Sequence, residues 1–211
     1  MSVENQTALY LLEAGAIKLS PDNPYTWASG WKSPIYCDNR LTLSFPIIRN
    51  YIKEQLTSAI KSHFPTVESL AGVATAGIPQ AALVADRMSL PMLYVRSKPK
   101  GHGLENLIEG KVSQGQKVVV VEDLISTGGS SLSAAQALQK EGFQVLGLVA
   151  IFTYGFPQSV QAFNEAKIPF YTLTNYETLL EVAIEMGVIQ MNKFPLLQDW
   201  RKNPSTWESS K

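Results

Sequence analysis

The sequence predicts an α/β protein: a mostly parallel central sheet of about five strands, flanked by helices, with a small N-terminal hood. Three observations carry the prediction. From Ser69 onward, short apolar runs alternate with helical stretches: 70–74 then 77–88, 92–95, 118–121 then 128–140, 145–152 then 156–166, and 169–173 then 175–187. Wholly apolar strands separated by helices belong to a parallel sheet covered on both faces. Ahead of this rhythm, residues 17–43 are rich in Pro, Ser, Gly, Trp and Tyr, and read as short strands and turns. Between Val95 and Lys117 the rhythm breaks into a long polar stretch with no convincing helix. So long a loop inside a compact domain is uncommon and often serves as an active-site lid.

The elements follow in order. Residues 3–15 place Leu9, Leu11 and Leu12, with Ala16 just beyond, near helical spacing, a short helix ending around Gly15. A second helix starts at Pro46, a good first-turn residue, and runs to about His63. After the alternating core, 191–203 forms a helix on Phe194, Leu197 and Trp200, and the residues from Asn203 to Lys211 are expected to fray. The expected division is a helix and hood lobe over 1–45, a core over 46–190 and a C-terminal helix and tail over 191–211, integrated in one domain.

Composition narrows the chemistry. The 211 residues are 45% hydrophobic, enough to bury a large core. Eighteen basic residues balance eighteen acidic ones, so anions must be bound by local clusters, and no general attraction to nucleic acid or acidic membranes is expected. A single cysteine, Cys37, excludes an intrachain disulfide, and His63 and His102 are too few for a histidine-built metal site. Glu4, Glu13 and Asp22 interrupt the first thirty residues, which predicts neither signal peptide nor membrane span, and a cytoplasmic protein.

The sharpest local signal runs from Val118 to Ser131. Four valines make a buried strand, Glu122 and Asp123 follow, and Leu124-Ile125-Ser126-Thr127-Gly128-Gly129-Ser130-Ser131 leads into a helix start at Leu132. Ligands of open α/β sheets bind at the carboxyl ends of strands, where this acidic pair emerges. The glycines let backbone N–H groups approach an anion, the hydroxyls add donors, and the helix N-terminus adds its positive dipole end. Neither a Gly-Lys-Ser/Thr nor a G-x-G-x-x-G is present, so the turn is neither a Walker motif nor a dinucleotide fingerprint.

This string resembles the phosphoribosyl pyrophosphate motif of the type I phosphoribosyltransferases, and the fold expected is theirs. The resemblance implies that Glu122 and Asp123 hold the ribose hydroxyls. Thr127, Gly128, Gly129 and Ser130 would hold the 5-phosphate, with Leu124, Ile125 and Ser126 completing the contact. Arg96, Lys98, Lys100 and His102, in the polar stretch, resemble the basic catalytic loop of the orotate phosphoribosyltransferases. In that family the loop enters the neighbouring subunit's site, which implies a homodimer with shared active sites. Cations that meet pyrophosphate only on closure would favour the transition state, and Lys100, His102, Glu122 and Asp123 are the expected catalytic residues.

Tyr25–Asp38 resembles the same family's hood, with Ser29-Gly30-Trp31-Lys32-Ser33-Pro34 as its centre; Tyr36 and Ser126 are the expected contacts to orotate. Gly72–Pro79 resembles its pyrophosphate turn. Some members carry lysine where Ala28 and Ala76 stand here, and arginine near Tyr154; backbone groups or Lys32 are the expected replacements. The resemblance further implies Mg²⁺ carried by the substrate's own oxygens, with no protein ligand assigned. A transferase for another base, or a regulator that senses phosphoribosyl pyrophosphate, are the alternatives; the hood and the zero net charge weigh against them.

Overall fold

In the computed structural model, residues 1–97, 107–111 and 113–207 are described. Helix α1 (Val3–Glu13) is capped by the Ser2 hydroxyl, which accepts the Asn5 N–H. Strands β1 (Ile17–Leu19), β2 (Tyr25–Thr26), β3 (Lys32–Ser33) and β4 (Ile35–Cys37) pair antiparallel, β1 with β4 and β2 with β3. A 3-10 turn over Asn39–Ser44 leads into α2 (Pro46–His63), which opens on its proline. The alternating core then comprises β5 (Ser69–Val73), α3 (Gly77–Met88), β6 (Met92–Val95), β7 (Ile108–Glu109), β8 (Lys117–Ile125), α4 (Gly129–Lys140), β9 (Gln144–Thr153), α5 (Pro157–Ala166), β10 (Phe170–Asn175) and α6 (Tyr176–Glu185). Helix α7 (Phe194–Lys202) follows.

The main sheet has six strands in the order β10-β9-β8-β5-β6-β7. Neighbours run parallel except β7, which is antiparallel to β6. The expected α/β class is observed, with three corrections. The sixth strand lies in the stretch read as loop. It is two residues long, too short for periodicity to announce, and is fixed by pairing Val95 with the buried Ile108. Strand β8 runs to Ile125 rather than Val121, because β9 continues beside it to Thr153; the acidic pair therefore sits within the strand. Finally, Trp207, in the tail expected to fray, is 8% exposed and joins the main core.

Strand alternation splits the interior into two layers. Val119, Val121, Val149 and Ile151 pack with apolar residues of α1, α2, α3 and α6, while Val118, Val120, Leu148 and Ala150 pack with those of α4 and α5. The hood strands are pinned to this core by aromatic contacts. Trp27 lies 5.3 Å from Tyr154 and 5.7 Å from Trp200, and the buried Trp200 indole N–H donates to the Lys32 carbonyl at 3.1 Å. No helix among the described residues is long and apolar enough to cross a membrane.

After β5 the chain adds β6 on one side and returns to place β8 on the other. The strand order thus reverses between β5 and β8, and the crevice at their carboxyl ends is where such sheets hold ligands.

Candidate active site

A cavity of about 250 Å³ occupies that crevice. Its walls are the turn Ala74-Thr75-Ala76 after β5, the end of β8 with Glu122, Asp123 and Leu124, and the turn from Ser126 through Ser131. Helices α3 and α4 both begin at this cavity, with Ala76 and Gly128 as N-cap residues, and neither cap residue offers a side-chain hydrogen bond. The first N–H groups of a helix have no partner within it and carry its positive dipole end. Two uncapped N-termini on one cavity suit a ligand with two separate anionic groups. Gly77 makes the convergence possible: a Cβ there would lie 2.5 Å from the Val121 carbonyl oxygen and 3.2 Å from Glu122 Cα.

Glu122 is 6% exposed. Its Oε1 accepts the Asp123 N–H at 3.0 Å, and the Ser131 hydroxyl lies 3.4 Å from its Oε2. Burial pushes the Glu122 carboxyl up to about 9, with the Asp123 charge and hydrogen bond adding to it. Burial also raises Asp123, which accepts a hydrogen bond from Glu122. The buried pair therefore resists full ionisation, and Glu122 is the carboxyl held protonated near neutral pH. Such a pair binds hydroxyl groups without full double-charge repulsion, and can release its proton when a cationic ligand arrives.

The register of β5 with β8 stops at Gly72 opposite Val121, so beyond this β8 has no strand on that side. Asn39, fully buried, fills the gap: its Nδ2 donates to the Asp123 carbonyl at 2.7 Å, and its Oδ1 accepts the Cys37 thiol at 3.4 Å. This bond ties the hood to the acidic pair, and nothing in the sequence periodicity marked it. Replacing Asn39 with Ala leaves a carbonyl unpartnered, at a cost of about 1–3 kcal/mol. The melting temperature should drop by roughly 2–4 °C per kcal/mol, and affinity for the ligand of this cavity should fall more than turnover of the bound ligand.

A second cavity, also about 250 Å³, adjoins the first through Leu124 and Ser126. Thr26, Trp27, Ala28, Tyr36, Cys37 and Tyr154 form the rest of its wall. Burial pushes the Cys37 thiol and the Tyr154 hydroxyl well above their ordinary values, so both are neutral walls. Arg96 lines a third cavity of about 220 Å³, which meets the first at Ala74 and Ser130; its guanidinium pairs with Glu109 at 3.4 Å.

Of the residues singled out in the sequence, Glu122, Asp123, Leu124, Ser126, Thr127, Gly128, Gly129 and Ser130 line the first cavity, and Tyr36 joins Ser126 at the second. Ile125 points the other way, into the core, and its carbonyl accepts from the Thr153 hydroxyl and the Tyr154 N–H, each at 3.2 Å. Strand alternation turns its side chain from the cavity that Leu124 faces, so that side chain does not line it. Lys98, Lys100 and His102 lie outside the described residues. The three positions where a family cation is missing, Ala28, Ala76 and Tyr154, all line these cavities.

Comparison with known proteins places the chain in a family. Residues 45–165 match the family described as Phosphoribosyl transferase domain. Orotate phosphoribosyltransferase of Bacteroides thetaiotaomicron is 57% identical over 210 residues, covering 100% of this chain and 99% of that protein. The enzyme of the same name from Bacillus subtilis is 57% identical over 199 residues, covering 94% and 92%. Among solved structures, orotate phosphoribosyltransferase from Aeropyrum pernix superposes with a TM-score of 0.75 at 28% identity, covering 85% of this chain and 97% of that one. Leishmania donovani UMP synthase gives 0.76 at 24% identity, with 93% of this chain matched to 42% of that chain, a likeness of fold.

Proposed function

The chain belongs to the orotate phosphoribosyltransferase family, and we infer from its site that it transfers ribose 5-phosphate from phosphoribosyl pyrophosphate to orotate in pyrimidine biosynthesis, releasing pyrophosphate. One observation carries the reading: two uncapped helix N-termini and a buried acidic pair share a single cavity, with a neutral aromatic cavity opening from it. The 5-phosphate is assigned to the turn Ser126–Ser130 at α4, the pyrophosphate to the turn before α3, and the ribose hydroxyls to Glu122 and Asp123. Orotate then takes the aromatic cavity, against Tyr36 and Ser126, with its N1 toward the ribose. The C1–oxygen bond to pyrophosphate breaks as the N1–C1 bond forms, the N1 proton leaves to solvent, and no covalent enzyme intermediate is needed.

Mg²⁺ fits this site as a companion of the substrate. Glu122 and Asp123 are hard oxygen donors, but no group of three His, Cys, Asp or Glu among the described residues could cage an ion. The ion would therefore sit mostly on substrate oxygens and neutralise pyrophosphate charge. Arg96, with Lys98, Lys100 and His102, is assigned to the leaving pyrophosphate. The same reading keeps 1–45 as a hood-bearing lobe on the transferase core and puts the reaction in the cytoplasm.

The test is direct. With orotate, phosphoribosyl pyrophosphate and Mg²⁺, the absorbance of orotate should fall as pyrophosphate appears; pyrophosphate release with a purine but none with orotate would overturn the assignment.

A homodimer with shared sites is part of the proposal. Leu41, Phe45 and Ile47, close together on the 3-10 turn and the start of α2, are 40%, 43% and 76% exposed, an apolar surface suited to a second copy. An acidic residue in the first turn of a helix is compatible with its dipole, so Ile47→Asp should fold. Sedimentation should then show half the wild-type mass, with turnover down about tenfold or more as the partner's loop is lost. A variant that stays dimeric and fully active removes this surface from the interface.

A further inference from the structure

The aromatic cavity assigned to the base has no charged side chain in its wall. Orotate differs from the uncharged pyrimidines by a carboxylate, and an anion in an apolar pocket needs a cation or several donors at its edge. Three arginines of the chain already have carboxylate partners, and none of them lines this cavity. Arg40 is forked onto Asp38, with bonds of 2.6 and 2.8 Å; Arg96 pairs with Glu109, and Arg201 with Glu177 at 3.6 Å.

Lys32 differs. It lies opposite Thr26 in the β2–β3 ribbon, and its Nζ donates to the Thr26 hydroxyl at 2.7 Å. Thr26 is part of the cavity wall, so the ammonium stands one hydrogen bond from it. No carboxylate lies within ion-pair distance of Lys32 among the described residues. The ribbon is also held firmly: the Lys32 carbonyl accepts from the fully buried Trp200, and the Trp27 indole N–H donates to the Ile35 carbonyl at 3.2 Å. A lysine ammonium has three donors, and Thr26 takes one.

We propose that Lys32 is the specificity-determining cation for the base, pairing with the carboxylate of a carboxylated pyrimidine at the mouth of the aromatic cavity. Thr26 aims the ammonium, and the absence of a competing acid leaves its charge for the ligand. The inference rests on the reading of the second cavity as the base site.

The test compares orotate with its primary amide, which has the same ring and shape but no charge. In Lys32→Met, which keeps a long unbranched stem, the orotate KM should rise about tenfold or more, the worth of a charge-assisted hydrogen bond. The inhibition constant of the amide should stay within about twofold, as should the KM for phosphoribosyl pyrophosphate. Lys32→Arg should restore most of the preference for orotate over the amide. Equal losses for orotate and amide, or no loss for either, would overturn the inference while leaving the transferase reading intact. A wild-type protein that turns over no orotate would take both down.

Discussion

Replacing Glu122 with Gln should abolish most turnover and at the same time make the ligand-free protein harder to unfold at alkaline pH. Both effects come from one buried carboxyl. Its folded-state value is about 9, against an unfolded value of 4.5, chiefly because burial penalises the charged form. A group with a raised folded pKa contributes stability that is fully present below its unfolded value and is lost as pH rises through its folded value. The window here runs from about pH 4.5 to about pH 9. Across it the wild-type chain must either hold a proton that the unfolded chain would release, or bury a charge beside Asp123. The loss amounts to a few kcal/mol as an order of magnitude.

A neutral glutamine of the same shape has no such dependence. The melting temperatures of wild type and Glu122→Gln should therefore be similar near pH 5 and separate progressively toward pH 9, with the variant higher. Parallel curves would remove the shared proton from the account. Activity should move the opposite way. A glutamine cannot give up a proton to become a charged acceptor for the ribose or for a cation carried by substrate, so kcat/KM for phosphoribosyl pyrophosphate should fall about a hundredfold or more. Saturating substrate should also stabilise the wild type more than the variant, since binding draws the pair toward its ionised form. A site that destabilises its own empty state is what function at a buried strand end requires.

The strand-and-helix order could be read from the chain because the physics there is local and repetitive. Val118–Val121 can only be a doubly buried strand in a chain with so many matching apolar runs, and Ser126–Ser131 before a helix can scarcely be anything but a turn with free N–H groups. Features set by distant partners were not legible. Asn39 acquires its task only because the pairing of β5 with β8 stops at Val121, two residues before Asp123, a fact of register. Ile108 and Glu109 form a strand only because β6 offers an edge. The length of β8 likewise depends on β9 beside it. The pairing of Lys32 with Thr26 follows from a hairpin whose two-residue strands carry no pattern of their own. Trp207, near the chain end, was unreadable for the converse reason: a lone apolar residue in a polar tail shows nothing of the core it meets.

Gly129 offers the cleanest separation of binding from folding, because its neighbour Gly128 provides the contrast. At Gly128, φ is +84° and a Cβ would meet the Phe163 ring at 2.9 Å, so Gly128→Ala should cost about 1–2 kcal/mol from the backbone alone and lower the melting temperature by several degrees. At Gly129 the backbone is ordinary, and a Cβ added there would find only the Thr127 hydroxyl oxygen, at 4.0 Å. The residue begins α4 and lines the first cavity, so a side chain there enters open space that the phosphate is assigned to occupy. Gly129→Val should melt within a few degrees of wild type, since valine is no worse than glycine in a helix by more than about 1 kcal/mol. Its affinity for phosphoribosyl pyrophosphate should nonetheless fall about a hundredfold, close to 3 kcal/mol, because two branched methyls block the approach of phosphate oxygens to the α4 N–H groups. The orotate KM, read at saturating cosubstrate, should change little, since that cavity meets the first only at Leu124 and Ser126. If Gly129→Val binds phosphoribosyl pyrophosphate as tightly as wild type, the phosphate does not sit on the α4 N–H groups beside Gly129, and that assignment falls.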